Sequence, residues 1–117
     1  YAAVHYLCGE PHGGTAIYRY RPRSLVKIRR YDRGVMDEMI ENVWSHPAEH
    51  LGYLSGDTIL FKQELVVKAR MNRLVLYPSN LLHCAMLSSP GSLDSDASKG
   101  RLSVASFFRL EQKPNGY

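Results

Sequence analysis

Structure breakers interrupt this chain at short intervals, and they limit what it can fold into. "GEPHGG" follows the apolar run "AAVHYLC", Ala2 to Cys8, and Pro22 ends "TAIYRYR". Pro78-Ser79-Asn80 separates "NRLVLY" from "LLHCAML", and "SSPGSLDSDASKG" separates that run from "RLSVASFFRL". Runs this short suit strands joined by turns better than helices, and they are rich in β-branched and aromatic residues. "SLVKIRRY" reads as extended, and "TILFKQELVVKAR" as strand sequence, one strand or two, with a bend near Gln63-Glu64. "DRGVMDEMIENVWSH" is the exception. Val35, Met36, Met39, Ile40 and Val43 recur at three- and four-residue steps, which predicts a helix capped by Asp32 and ended by Pro47. "PAEHLGYLSGD" then reads as a loop.

The count is about six to eight short strands and one helix, with no alternation of strand and helix that would build a parallel sheet. The expected fold class is mainly antiparallel β, a barrel or jelly roll, with the helix packed outside it. With 117 residues and 44% hydrophobic content the chain reads as one domain, residues 1–117. Residues 21–57 form a basic segment plus helix inserted between strands, and residues 88–100 form a flexible loop by composition.

Several function classes fall away. No run approaches the ~18 apolar residues of a membrane span, and no signal-peptide pattern opens the chain. "YAAVHYLC" reads as a strand already in progress, so a fragment or processed product is expected. Cys8 and Cys84 lie in apolar runs and read as buried free thiols, which fits a reducing, cytoplasmic setting. Net charge is +4, with Arg19, Arg21, Arg23, Lys27, Arg29, Arg30 and Arg33 close together. Such a segment is either a nucleic-acid contact or a solvated face, and no glycine-rich or helix-turn-helix pattern accompanies it. The expectation is therefore against nucleic acid and against a membrane.

The chemistry-bearing residues cluster near the C-terminal end. Period-two alternation puts Arg101, Ser103, Ala105 and Phe107 on one face of the last strand. An inward arginine beside an inward serine is costly without an anion, and a guanidinium holds a carboxylate through two parallel hydrogen bonds. The competing reading pairs Arg101 with Asp94 or Asp96 in the preceding loop. His83 interrupts an apolar run one strand earlier. If the two strands pair as a hairpin, His83 and Arg101 lie near the same end of the sheet.

"RLVLYPSNLLHCAM" followed by "GRLSVASFF" resembles the C-terminal half of the Fe(II)- and 2-oxoglutarate-dependent oxygenases, near their prolyl-hydroxylase branch. Upstream, "AAVHYLCGEPHGGTAIYRY" is similar to the family segment in which a strand tyrosine precedes a double glycine. More narrowly, these segments resemble a group of uncharacterised bacterial proteins of that superfamily. The resemblance implies an incomplete double-stranded β-helix, a jelly-roll or cupin-like barrel, and hydroxylation of an organic substrate whose identity the sequence does not give. It implies Fe(II) and 2-oxoglutarate as cofactors, His83 as the distal metal ligand, Arg101 and Ser103 as anchors of the far carboxylate, and Tyr6 as a cosubstrate contact. Gly13 and Gly14 match the double glycine.

Fe(II) sites of this kind take two histidines and one carboxylate. The family supplies the other histidine and the carboxylate from an H-x-D/E motif upstream of the strand that carries Tyr6, and no H-x-D or H-x-E occurs in these 117 residues. His5 is followed by Tyr6 and Leu7, and alternation turns it away from the face of Tyr6. The chain by itself therefore offers one recognisable ligand and is not expected to hold iron tightly. Two readings follow: part of an oxygenase whose remaining ligands lie upstream, or a β-barrel binding module without the metal site. Open strand edges lead to an expectation of self-association. His12 is either an exposed loop residue or part of the cavity mouth. His46 and His50 flank Pro47 and read as structural, and "LDSDAS" reads as a solvated loop.

Overall fold

A computed structural model describes residues 1–87 and 93–112. Six strands are present among them: β1 (Ala2–Tyr6), β2 (Gly14–Tyr20), β3 (Phe61–Lys68), β4 (Leu74–Tyr77), β5 (His83–Met86) and β6 (Ser103–Phe107). They form two three-stranded antiparallel sheets, ordered β4-β1-β6 and β3-β2-β5. The mainly β expectation with one main helix therefore holds. The pairing is nested: β2 with β3 lies inside β1 with β4, while β5 adds beside β2 and β6 beside β1. β5 and β6 lie in different sheets, so the hairpin considered for them does not form.

Registers assign the faces. Tyr6 stands opposite Ser103, Val4 opposite Val75 and Ala105, and Ala2 opposite Tyr77 and Phe107. Directly opposed residues share a face, so these line one side of the first sheet. In the second sheet Thr15 stands opposite Val67 and Ala85, and Ile17 opposite Leu65 and His83. The two faces look at each other, because the hydroxyls of Tyr6 and Thr15 are hydrogen-bonded across the gap.

The other face of the second sheet carries the helix. α1 (Arg33–Ser45) packs Val35, Met39 and Val43 on Ala16, Tyr18, Tyr20, Leu60 and Phe61. Asn42 Nδ2 donates to the Tyr20 hydroxyl at 2.6 Å. Met36 and Ile40 are exposed, so the buried stripe is narrower than the sequence pattern. Asp32 precedes α1 without a side-chain cap; its carboxylate accepts the Arg29 backbone N–H at 2.9 Å. Pro47 does more than end α1. It opens a short second helix, α2 (Pro47–His50), where its missing N–H costs nothing. β3 is one strand, and its irregularity, between Ile17–Leu65 and Tyr18–Gln63, falls at the expected bend. "SLVKIRRY" contributes only single bridges, Tyr20–Leu25 and Lys27–Leu81.

The result is a slab of 48 × 47 × 21 Å with a radius of gyration of 16.3 Å, against about 13 Å for a compact domain of this length. Leu74, Leu76 and Val104 stand exposed on the outer face of the first sheet. In the loop expected over residues 88–100, residues 88–92 lie outside the described residues. Its remainder is built of turns, with Asp96 accepting both the N–H and the hydroxyl of Ser98. No helix among the described residues is long and apolar enough to cross a membrane.

The double glycine has a steric reason. A Cβ on Gly13 would meet the Met86 carbonyl oxygen at 1.7 Å, and one on Gly14 the Val67 oxygen at 2.0 Å. Gly13 also has φ +89°, which disfavours side chains. Gly13→Ala and Gly14→Ala are each expected to cost about 3 kcal/mol or more in urea unfolding. Gly34→Ala, in α1 with nothing near its Cβ, gains about 0.5 kcal/mol. Equal effects at the three positions contradict this account.

Candidate functional site between the sheets

The start of β6 delivers Arg101 into the gap between the sheets. Its Nη2 donates to the Gly14 carbonyl at 3.1 Å and its Nη1 to Ser103 Oγ at 3.3 Å. The guanidinium carbon lies 5.7 Å from the centroid of the Tyr6 ring, a cation–π distance. Tyr6 is fully buried, and its hydroxyl meets that of Thr15, itself buried. Arg101, Ser103 and Tyr6, singled out in the sequence, thus converge with Thr15. Thr15 carried a legible signal, since alternation from Gly14 turns it to the same side as Ile17.

The guanidinium is only partly satisfied. Nε is buried without a hydrogen-bond partner among the described residues. Asp94 and Asp96 do not pair with it; Asp94 accepts the Asp96 N–H, and Asp96 accepts from Ser98 and forms an ion pair with Lys99 at 3.8 Å. A buried unpaired donor on a cation is costly. Nε–H and the second hydrogen of Nη2 lie on one edge of the fork, the geometry that takes a carboxylate through two bonds.

His83 faces the same gap from β5. Its Nδ1 lies 2.7 Å from the Leu81 carbonyl, so Nδ1–H donates and the Nε2 lone pair is left free, the tautomer a metal or a hydrogen-bond donor needs. Its ring meets Tyr77 edge-on at 4.9 Å, a contact between the two sheets. Burial, then the neighbouring Tyr6, pushes the Tyr77 phenol above its ordinary value. His83 stands opposite Ile17, whereas Arg101 bonds to Gly14, three residues away along β2, so the two are separated by about 10 Å of strand.

The other histidines do not join this group. His5 turns away from the gap and meets Asn72 Oδ1 at 2.8 Å. His46 and His50 each bond a backbone carbonyl through Nδ1, and His50 Nε2 meets the Thr58 hydroxyl at 2.8 Å. Both serve the α1–α2 junction. His12 has a buried Nδ1 without a partner among the described residues and lines a cavity of about 430 Å³ with Cys8, Met71 and Leu102. Arg101, Ser103, Tyr6 and Thr15 are not part of its lining, so this cavity is separate. Among the described residues no three His, Cys, Asp or Glu side chains are placed to hold a metal.

Residues 1–108 match the profile of a family of unknown function (DUF6445), and the chain belongs to that family. No curated protein matches the chain. No solved structure matches it.

Two outcomes follow from the geometry. Tyr6→Phe or Thr15→Val strands one buried hydroxyl and is expected to cost about 1–2 kcal/mol, with the double variant losing less than the sum. Urea unfolding of the four proteins reads the coupling, and additive losses refute the hydroxyl pair. For Tyr77, as for Tyr18, burial raises the phenol pKa in the folded state. Stability is therefore intact below about pH 10 and falls as pH rises through that value, because the unfolded chain ionises first. The urea midpoint should drop between about pH 9 and about pH 11, and drop less in Tyr77→Phe.

Proposed function

We propose that this chain is the C-terminal part of an Fe(II)- and 2-oxoglutarate-dependent oxygenase, built on a double-stranded β-helix, that hydroxylates or otherwise oxidises an organic substrate. The observation that carries the reading is Arg101, a half-buried cation between the two sheets whose buried Nε has no partner among the described residues. Ser103 and Tyr6 stand around it, and His83 lies on the same gap with Nε2 free.

The strand nesting supports the fold. Continuing it outward adds one strand beside β5 and one beside β6, which makes eight strands in two sheets, the jelly-roll number. A strand beside the open edge of β5 brings its side chains next to His83. The described residues fit a carboxylate anchor and one imidazole ligand. They do not by themselves fit an iron site. The proposal therefore requires an H-x-D or H-x-E in polypeptide preceding Tyr1.

In this reading the guanidinium fork of Arg101 binds the far carboxylate of 2-oxoglutarate, with Ser103 adding a hydroxyl. The cosubstrate lies along β2 past Thr15 toward His83, and the offset of about 10 Å leaves room for a short dicarboxylate. Iron, when bound, supplies activation of O₂. The chain's own residues bind and orient the cosubstrate. A second reading, a binding module that keeps the barrel without the metal, rests on the missing H-x-D/E within the 117 residues.

The test uses the polypeptide with its upstream coding sequence. Under anaerobic conditions it should bind Fe(II) and 2-oxoglutarate together, with the visible charge-transfer absorption of that pair. His83→Ala should abolish the band. Arg101→Met should weaken 2-oxoglutarate about 30-fold or more while leaving metal binding in place. A parent that binds neither metal nor 2-oxoglutarate ends the enzyme reading and leaves the binding module.

A further inference from the structure

The basic segment is unevenly neutralised. Arg19 pairs with Glu64 at 2.6 Å, Arg21 with Asp57 at 3.3 Å and Arg23 with Glu38 at 2.8 Å. Lys27, Arg29, Arg30 and Arg33 form no ion pair among the described residues. The only carboxylate within this stretch, that of Asp32, is engaged by the Arg29 backbone N–H.

Two of the four cations are aimed by backbone pairing. Leu82 N–H donates to the Val26 carbonyl at 2.8 Å and Ile28 N–H to the Asn80 carbonyl at 3.0 Å, with Lys27 directly opposite Leu81. Leu81 precedes His83 by two residues, whereas Leu82 and Cys84 face the α1 side. Lys27 therefore stands next to the start of β5, across from Leu81 and two residues from His83, with Arg29 further along the same segment. Both line a cavity of about 330 Å³ with Tyr31 and Asp32. The Arg29 guanidinium is held in place: Nη1 donates to the Tyr31 hydroxyl, and Cζ lies 5.7 Å from the centre of that ring.

We propose that the Lys27–Arg29 wall beside His83 holds an anionic group, carboxylate or phosphate, of the substrate oxidised there. The inference rests on the oxygenase reading for the word substrate and on the charge arrangement for the word anionic. A lysine point charge and a braced arginine fork bind either oxyanion. Their place at the rim also draws anionic molecules toward the gap.

The chain is titrated without metal with glycerol 3-phosphate and with N-acetylglutamate, and backbone amide resonances are followed. Saturable shifts over residues 24–32 are expected with at least one of the two, and the responding anion tells phosphate from carboxylate. Lys27→Glu with Arg29→Glu should weaken that binding tenfold or more, while Lys62→Glu, a charge reversal on β3, should not. No shift over 24–32, or binding unchanged by the double reversal, overturns the site. A stronger response to a single-stranded oligonucleotide, centred on Arg30, Arg33 and Trp44, overturns it in favour of nucleic acid. The cosubstrate site is read separately at the amides of 101–103, so failure at Lys27 and Arg29 is distinguishable from failure at Arg101. Anion binding at Lys27 and Arg29 in a polypeptide that binds no iron removes the substrate role.

Discussion

The Arg101 guanidinium, bonded to the Gly14 carbonyl, ties the two sheets together beside Ser103 and Tyr6. Gly14 offers that carbonyl because it has no Cβ to fend off Val67, and Gly13 turns tightly enough against Met86 to present it. Beside this tie the Tyr6 and Thr15 hydroxyls meet in a fully buried setting. Burying a cation is expensive, and the bonds to Gly14 and Ser103 offset part of that cost. The unpartnered Nε is what remains, and an oxyanion in the gap removes the penalty.

The faces were legible in the sequence, and the partners were not. Period two placed Arg101 with Ser103, and Tyr6 away from His5, because alternation is a local property of a strand. β5 and β6, consecutive in the chain, do not pair as a hairpin, because strand partners are chosen by distant sequence. The Arg101–Gly14 bond has no side-chain signal at its acceptor end, so no residue pattern announces it. Pro47 was read as a stop, although at the first position of a helix it is equally a start. Thr15 was missed at the site because threonine is ordinary in strands; its role comes from standing across from Tyr6.

The insert between β2 and β3 serves two purposes. α1 covers the outer face of one sheet through Val35, Met39 and Val43. The segment before it spends three arginines on nearby carboxylates, and Lys27 stands across from Leu81, two residues before His83. Charge is thus sorted along a single stretch of chain: Arg19, Arg21 and Arg23 are paired first, and Lys27, Arg29 and Arg30, without an ion pair among the described residues, follow. The opposite outer face, with Leu74, Leu76 and Val104 exposed, has no such cover among the described residues.

The central claim is that Arg101 is an oxyanion site in waiting, and its Nε–H reports on that directly. In a ¹⁵N-labelled chain titrated with 2-oxoglutarate, the Arg101 Nε–H resonance should move downfield and saturate, and slow its exchange with water, as the buried donor gains a carboxylate partner. A resonance that stays in place while 2-oxoglutarate is raised to tens of millimolar, about the limit of a weak site, contradicts the claim.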